Sequence, residues 1–171
     1  MNLGTDRFFT KNLLHYIAAI VGALCLLIPA FYNGYPLVNP DTGTYVSSGF
    51  LPDMPSDRPI TYGVFVRLTT LNGISLWLTV FVQAYIMTWL IFRIIKIAAG
   101  ERFLVFKGLL TVFILSVCTG LSWIVSQVQP DVFTSVAFLT VILLLIEKRN
   151  RRSDIVLKVL LLLLYLQILH H

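Results

Sequence analysis

Five apolar runs, about residues 13–32, 74–97, 108–125, 132–146 and 155–169, divide this chain, and the basic residues gather in alternate connections between them. If each run crosses a bilayer in turn, Arg7 and Lys11 precede the first crossing. Arg93, Lys96, Arg102 and Lys107 then flank the second connection, and Lys148, Arg149, Arg151, Arg152 and Lys158 the fourth. Eleven of the thirteen Lys and Arg residues thus share one side, leaving Arg58 and Arg67 opposite, with Asp41, Asp53, Asp57 and Asp131. Short loops rich in Lys and Arg stay cytoplasmic. The expected topology has five spans, a cytoplasmic N-terminus, and outward loops at about 33–73 and 126–131.

Composition supports this reading. The chain is 57% hydrophobic and 12% charged, with a mean hydropathy of +0.85, more apolar than a soluble core requires. A crossing takes about 20 apolar residues. The run 74–97 meets that; 132–146 is short, and 155–169 is followed almost at once by His170 and His171. Such spans fit shielding by other protein, or an N-terminal module of a longer fold. The first run carries Pro29 near its outer end and reads as an anchor, not a cleaved signal peptide. The net charge of +5 would suggest nucleic acid for a soluble protein; spread over cytoplasmic loops, it points instead to topology and anionic lipid, and no nucleic-acid partner is expected. Cys25 and Cys118 lie in apolar runs without metal-ligand spacing and read as small hydrophobes.

The long outward loop has internal order. Asn33-Gly34-Tyr35-Pro36 is turn chemistry, and Asn39-Pro40-Asp41-Thr42 opens a short helix through Tyr45 to Ser48, which Gly49 can end. Residues 51–58 should be extended, because Pro52, Pro55 and Pro59 restrict their neighbours. Over 59–71, Ile60, Val64, Leu68 and Leu71 recur at helical spacing. This predicts an amphipathic surface helix that buries those residues in the membrane interface or against the spans, ended by Asn72-Gly73.

Candidate site residues cluster in these loops. Asp41, near the bilayer face, is placed to act as a general base on an acceptor hydroxyl, or simply to cap a helix. Asp131, at the start of the fourth run, has the same two readings: a ligand for a metal or a phosphate-bearing donor, or a cap. Gln127 and Gln129 add amides beside it. Arg58 offers a fork for phosphate, and Arg67 the same or a snorkelling cation. Tyr35, Tyr45 and Tyr62 are candidates for sugar stacking or for the interfacial aromatic belt. His15, in the inner half of the first run, reads as a packed or interfacial histidine. There is no GxGxxG, Walker, HExxH or Gly-x-Ser-x-Gly pattern, so soluble-type nucleotide and hydrolase chemistry is unsupported.

Taken together, these segments resemble the N-terminal part of the GT-C class of polytopic membrane glycosyltransferases, which transfer sugars from polyprenyl-phosphate donors. The likeness rests on the N-in first span and on three segments: Pro40-Asp41-Thr42-Gly43-Thr44-Tyr45, Asp57-Arg58-Pro59-Ile60-Thr61-Tyr62-Gly63, and Gln127-Val128-Gln129-Pro130-Asp131-Val132-Phe133. It implies an all-α polytopic fold in a bacterial cytoplasmic (inner) membrane, with membrane lipid and a lipid-linked sugar as partners. It also implies Asp41 and Asp131 as catalytic residues, with Arg58, Tyr45 and Gln129 as substrate contacts. A divalent cation, if used, would fall to Asp41 and Asp131, and the two carboxylates should face one outward cavity. The chain lacks the later spans and lipid-phosphate portion of that class. The alternative is a non-enzymatic membrane subunit packed against a larger partner.

Overall fold

A computed structural model describes residues 3–51, 60–146 and 155–162. Among these residues the chain is all-helical, without a strand: α1 (Leu3–Leu26), α2 (Ile28–Asn33), α3 (Thr42–Phe50), α4 (Ile60–Thr69), α5 (Leu76–Ala99), α6 (Leu104–Cys118), α7 (Leu121–Ser126), α8 (Asp131–Ile146) and α9 over 155–162. Arg58, Asp57 and Asp53 lie outside the described residues.

The first and third apolar runs are each broken near the same end of the molecule. In the first, Pro29 has no N–H to donate to the carbonyl four residues back, so the helix yields at Leu27 and Cys25 O is left without its helical donor. Ser116 Oγ of α6 donates to Cys25 O (3.4 Å), and Ser126 Oγ of α7 donates to Leu26 O (3.3 Å). The run 108–125, expected as a single span, is split at Thr119-Gly120 into α6 and α7. The short helix beyond each break, α2 and α7, packs on the other. Hydroxyls from one broken helix therefore supply donors that the other lacks.

α5 is unbroken. Its 24 residues extend about 36 Å, starting from Ser75, whose side chain accepts from Trp77 N, and ending at Gly100 (φ +72). It is the one helix among the described residues long and apolar enough to cross a membrane; Leu13–Leu26, α6 and α8 are shorter apolar helices. α1 and α6 both pack closely on α5. A Cβ built on Gly22 would fall 2.6 Å from Thr88 Cγ2, and one on Gly108 would fall 2.6 Å from the Phe92 ring. Small residues here set the helix spacing.

The outward sides of these helices stay apolar. Phe106 and Phe113 on α6, Phe138 and Leu145 on α8, and Ile17 and Val21 on α1 are all exposed, with Leu145 at 80%. Large contiguous apolar surface of this kind is unusual on a soluble monomer.

α3 and α4 form the cap of the bundle. α3 runs two residues beyond the expected stop at Ser48, because Gly49 is where α4 crosses it: a Cβ there would collide with the Gly63 carbonyl. The amphipathic segment is a helix, as its spacing predicts, and of the two expected settings its apolar stripe does not take the one against the spans. Tyr62, Val66 and Thr70 are buried, whereas Val64, Leu68 and Leu71 are exposed, Leu68 at 72%. Gly63 takes α4 against α3 and turns the predicted apolar stripe outward. α4 then leaves through a left-handed turn at Leu71, Asn72 and Gly73.

Candidate functional site at the loop end

The first long loop and the connection before α8 are fastened together. Leu37 N donates to Ser126 O (2.9 Å) and Val128 N to Leu37 O (3.0 Å), forming an isolated parallel bridge between Leu37 and Gln127. Thr42 Oγ1, buried at the start of α3, donates to Val128 O (3.2 Å) and accepts from Asn39 N (2.9 Å). Asp41 precedes Thr42 by one residue and Asp131 follows Val128 by three, so the two acids flank one inter-loop hydrogen bond.

Asp41 occupies the N-cap position of α3 but has helical backbone angles, and its side chain makes no capping hydrogen bond. Its backbone carbonyl accepts from Thr44 N and Tyr45 N, while Thr42 binds the loop. Asp131 is the first residue of α8, where the positive helix end favours a carboxylate. Both side chains are exposed.

Beneath the acids lies a polar cluster whose hub, Gln83, is absent from the candidates nominated by sequence. Tyr62 of α4 is fully buried, and its hydroxyl donates to Gln83 Oε1 of α5 at 2.7 Å. Gln83, also fully buried, uses its amide N–H groups on Val125 O (3.3 Å) and Gln127 O (3.0 Å). One side chain thus ties α4, α5, α7 and the second loop. Rings close around it: Tyr45 meets Tyr62 edge-on at 5.5 Å between centroids, and Phe133 of α8 packs against Tyr62 and Phe65. Burial pushes the Tyr62 phenol well above its usual value; Tyr45 and then the Asp131 charge add to the effect. Tyr62 is therefore a neutral donor, and Asp131 is near enough for its charge to reach it. Gln83 could have been noticed as the lone amide in the run 74–97.

The remaining candidates divide. Tyr45 is half-buried in this cluster, and Gln129 is half-buried beside the bridge. Gln127 contributes its backbone carbonyl. Tyr35 instead packs edge-on to Trp77. Arg67 donates to Gly49 O at 3.4 Å and lies over the Phe50 ring, which fixes the α3–α4 crossing. Among the described residues, no three His, Cys, Asp or Glu side chains converge as a metal site. No family model, curated protein or solved structure matches the chain.

Proposed function

We propose that this chain is an integral membrane protein with five crossings and a cytoplasmic N-terminus, and that it is a GT-C-like glycosyltransferase, or the N-terminal module of one, acting at the outer face of a bacterial cytoplasmic membrane. The membrane part is supported by the charge asymmetry and the exposed apolar helix faces. The observation that carries the site is the Thr42–Val128 hydrogen bond, which fastens the start of α3 to the loop that leads into α8. In this reading Asp41 takes the proton of an acceptor hydroxyl as its oxygen bonds to the anomeric carbon. The bond from that carbon to the lipid phosphate breaks, and its electron pair leaves with the phosphate. Asp131 orients the donor, Tyr45 and Gln129 contact the sugar, and Arg58 contacts the phosphate.

The test is sugar transfer from a polyprenyl-phosphate sugar by the purified full chain in vesicles. Asp41→Asn should reduce transfer at least about a hundredfold, the usual scale for removing a general base. Wild-type protein without transfer overturns the reading of this chain as a transferase by itself, and D41N with full transfer overturns the assignment of Asp41.

A second reading has its own observation. A cleft of about 560 Å³ lies between α5, α6 and α8, lined by Ile91, Leu115, Leu121, Ser135 and Phe138 among others. It favours a non-enzymatic subunit that receives a partner helix. A photo-reactive residue at Phe138 should then cross-link to another membrane protein in cells, with D41N having no consequence.

A further inference from the structure

The opposite end of the bundle holds a second concavity, between α1, α5 and α6, with a volume of about 190 Å³. His15 and Tyr16 of α1 and Trp89, Arg93 and Lys96 of α5 line it, with Leu104 of α6 at its base. Its α5 wall includes Tyr85, Trp89 and Arg93, each four residues on, with Phe81 stacked on Tyr85 beyond the concavity and the Arg93 guanidinium 5.2 Å from the Trp89 ring centroid. Tyr16, Ile20 and Leu24 follow the same spacing on α1 and are all exposed. Lys96 pairs with Glu101 at 2.8 Å, but both side chains are more than half exposed. Such a pair is weak, and an ammonium has three donors.

We propose that this concavity binds the phosphodiester headgroup of an anionic phospholipid of the inner leaflet, with an acyl chain lying along Tyr16, Ile20 and Leu24. The proposal rests on the membrane topology above and not on the transferase reading. Two cations and a histidine ring N–H converge on a space large enough for a phosphate. Arg93 sits at headgroup depth, about 9 Å from the α5 terminus (six residues from Arg93 to Ala99), with the Trp89 ring beneath it, and apolar surface continues toward the bilayer interior. A basic pocket between helices with an apolar extension suits a lipid better than a free anion, which would leave that extension bare.

The experiment uses the full chain in phosphatidylcholine nanodiscs, with phosphatidylglycerol titrated in and retention read by native mass spectrometry. Lys96→Gln, at an exposed position, should weaken phosphatidylglycerol retention about fivefold, and the double variant with Arg93→Ala about 25-fold, on the scale of one surface cation each. Arg102→Ala, outside the concavity, should leave retention unchanged, and Arg93→Lys should recover much of the loss from R93A. Loss in R102A equal to that in K96Q would make the binding diffuse surface charge and overturn the proposal. Full competition by inorganic phosphate would make the site one for a free anion and overturn it too. Equal retention of phosphatidylcholine would do the same. A chain released from membranes by carbonate refutes the topology itself; a chain that stays embedded yet retains no phosphatidylglycerol refutes only this site. Transfer activity is a separate readout, so its absence touches neither.

Discussion

At the loop end, Thr42, Tyr62 and Gln83 tie four helices, α3, α4, α5 and α7, to the second loop through neutral, largely buried hydrogen bonds of 2.7–3.3 Å, whereas at the opposite end Lys96 and Glu101 pair in solvent and Arg93 rests on the face of Trp89. Buried neutral bonds are expensive to break, because a stranded donor or acceptor keeps its desolvation cost, and added salt does little to them. Exposed charges are the reverse: weak, screened, and able to exchange partners. The two ends therefore divide the labour. The loop end is preformed, which on the proposed reading keeps the backbone at Asp41 and Asp131 in fixed relation, while the basic end is adaptable, as the proposed lipid site requires.

The most severe test of that division is Gln83→Leu. Leucine fills similar space but strands the Tyr62 hydroxyl and the carbonyls of Val125 and Gln127. A loss of about 3 kcal/mol is expected in denaturant unfolding of the purified chain, with Tyr62→Phe costing less because it strands only Gln83 Oε1. If Q83L unfolds like wild type, the loop end is not held by this network.

Next in size is Gly49→Ala. Its added methyl would meet the Gly63 carbonyl, which belongs to backbone and cannot rotate away. Separation of α3 from α4 should cost about 2 kcal/mol. Because α3 carries Asp41 and Tyr45 while the basic end is remote, hydrogen exchange should quicken in 42–50 and 60–69 and stay unchanged around Arg93.

Alkali gives a smaller, graded effect with a defined sign. The Tyr62 phenol titrates above its unfolded value of 10.0, so its contribution to stability is fully present below pH 10. Above that pH the unfolded chain releases the proton while the folded chain keeps it. Stability should then fall by about 1.4 kcal/mol per pH unit until the folded phenol ionises. Other groups titrate in the same range, so the measurable quantity is the difference between wild type and Tyr62→Phe, whose unfolding should lack this component.

Much of the helical framework is legible in the sequence. The described apolar runs are helical, Asp131 starts α8, and Asn72-Gly73 lies in the turn that follows α4. What fails does so for a shared reason. The stripe with Val64 and Leu68 is expected in the membrane interface or against the spans, and it does not pack against the spans: the face that α4 buries in the protein is Tyr62, Gly63 and Val66. Where the surroundings are themselves apolar, close helix packing favours small and hydrogen-bonding residues, and hydrophobicity no longer marks the core. The same inversion hides Gln83, since two of its three partners are backbone carbonyls, which carry no sequence signature. Asp41 and Asp131 can be nominated from their loops, but the Thr42–Val128 bond that fastens one loop to the other spans 86 residues and leaves no local trace.

The smallest effect expected is from Glu101→Gln, and its smallness is what distinguishes the two ends. Glu101 lies 2.8 Å from Lys96, a distance that in a buried setting would mark a strong pair. Both side chains are more than half exposed, however, so water already solvates each charge, and two long side chains lose rotamer freedom in meeting. The substitution should change stability by less than about 1 kcal/mol, and that change should shrink between roughly 0.01 and 0.5 M salt as the screening length falls below the reach of surface charges. It should also leave Lys96 more accessible to phosphate, so E101Q is expected to retain phosphatidylglycerol at least as well as wild type. A salt-insensitive loss comparable to that of Q83L would mean that the basic end is as preformed as the loop end, and the contrast between them would fall.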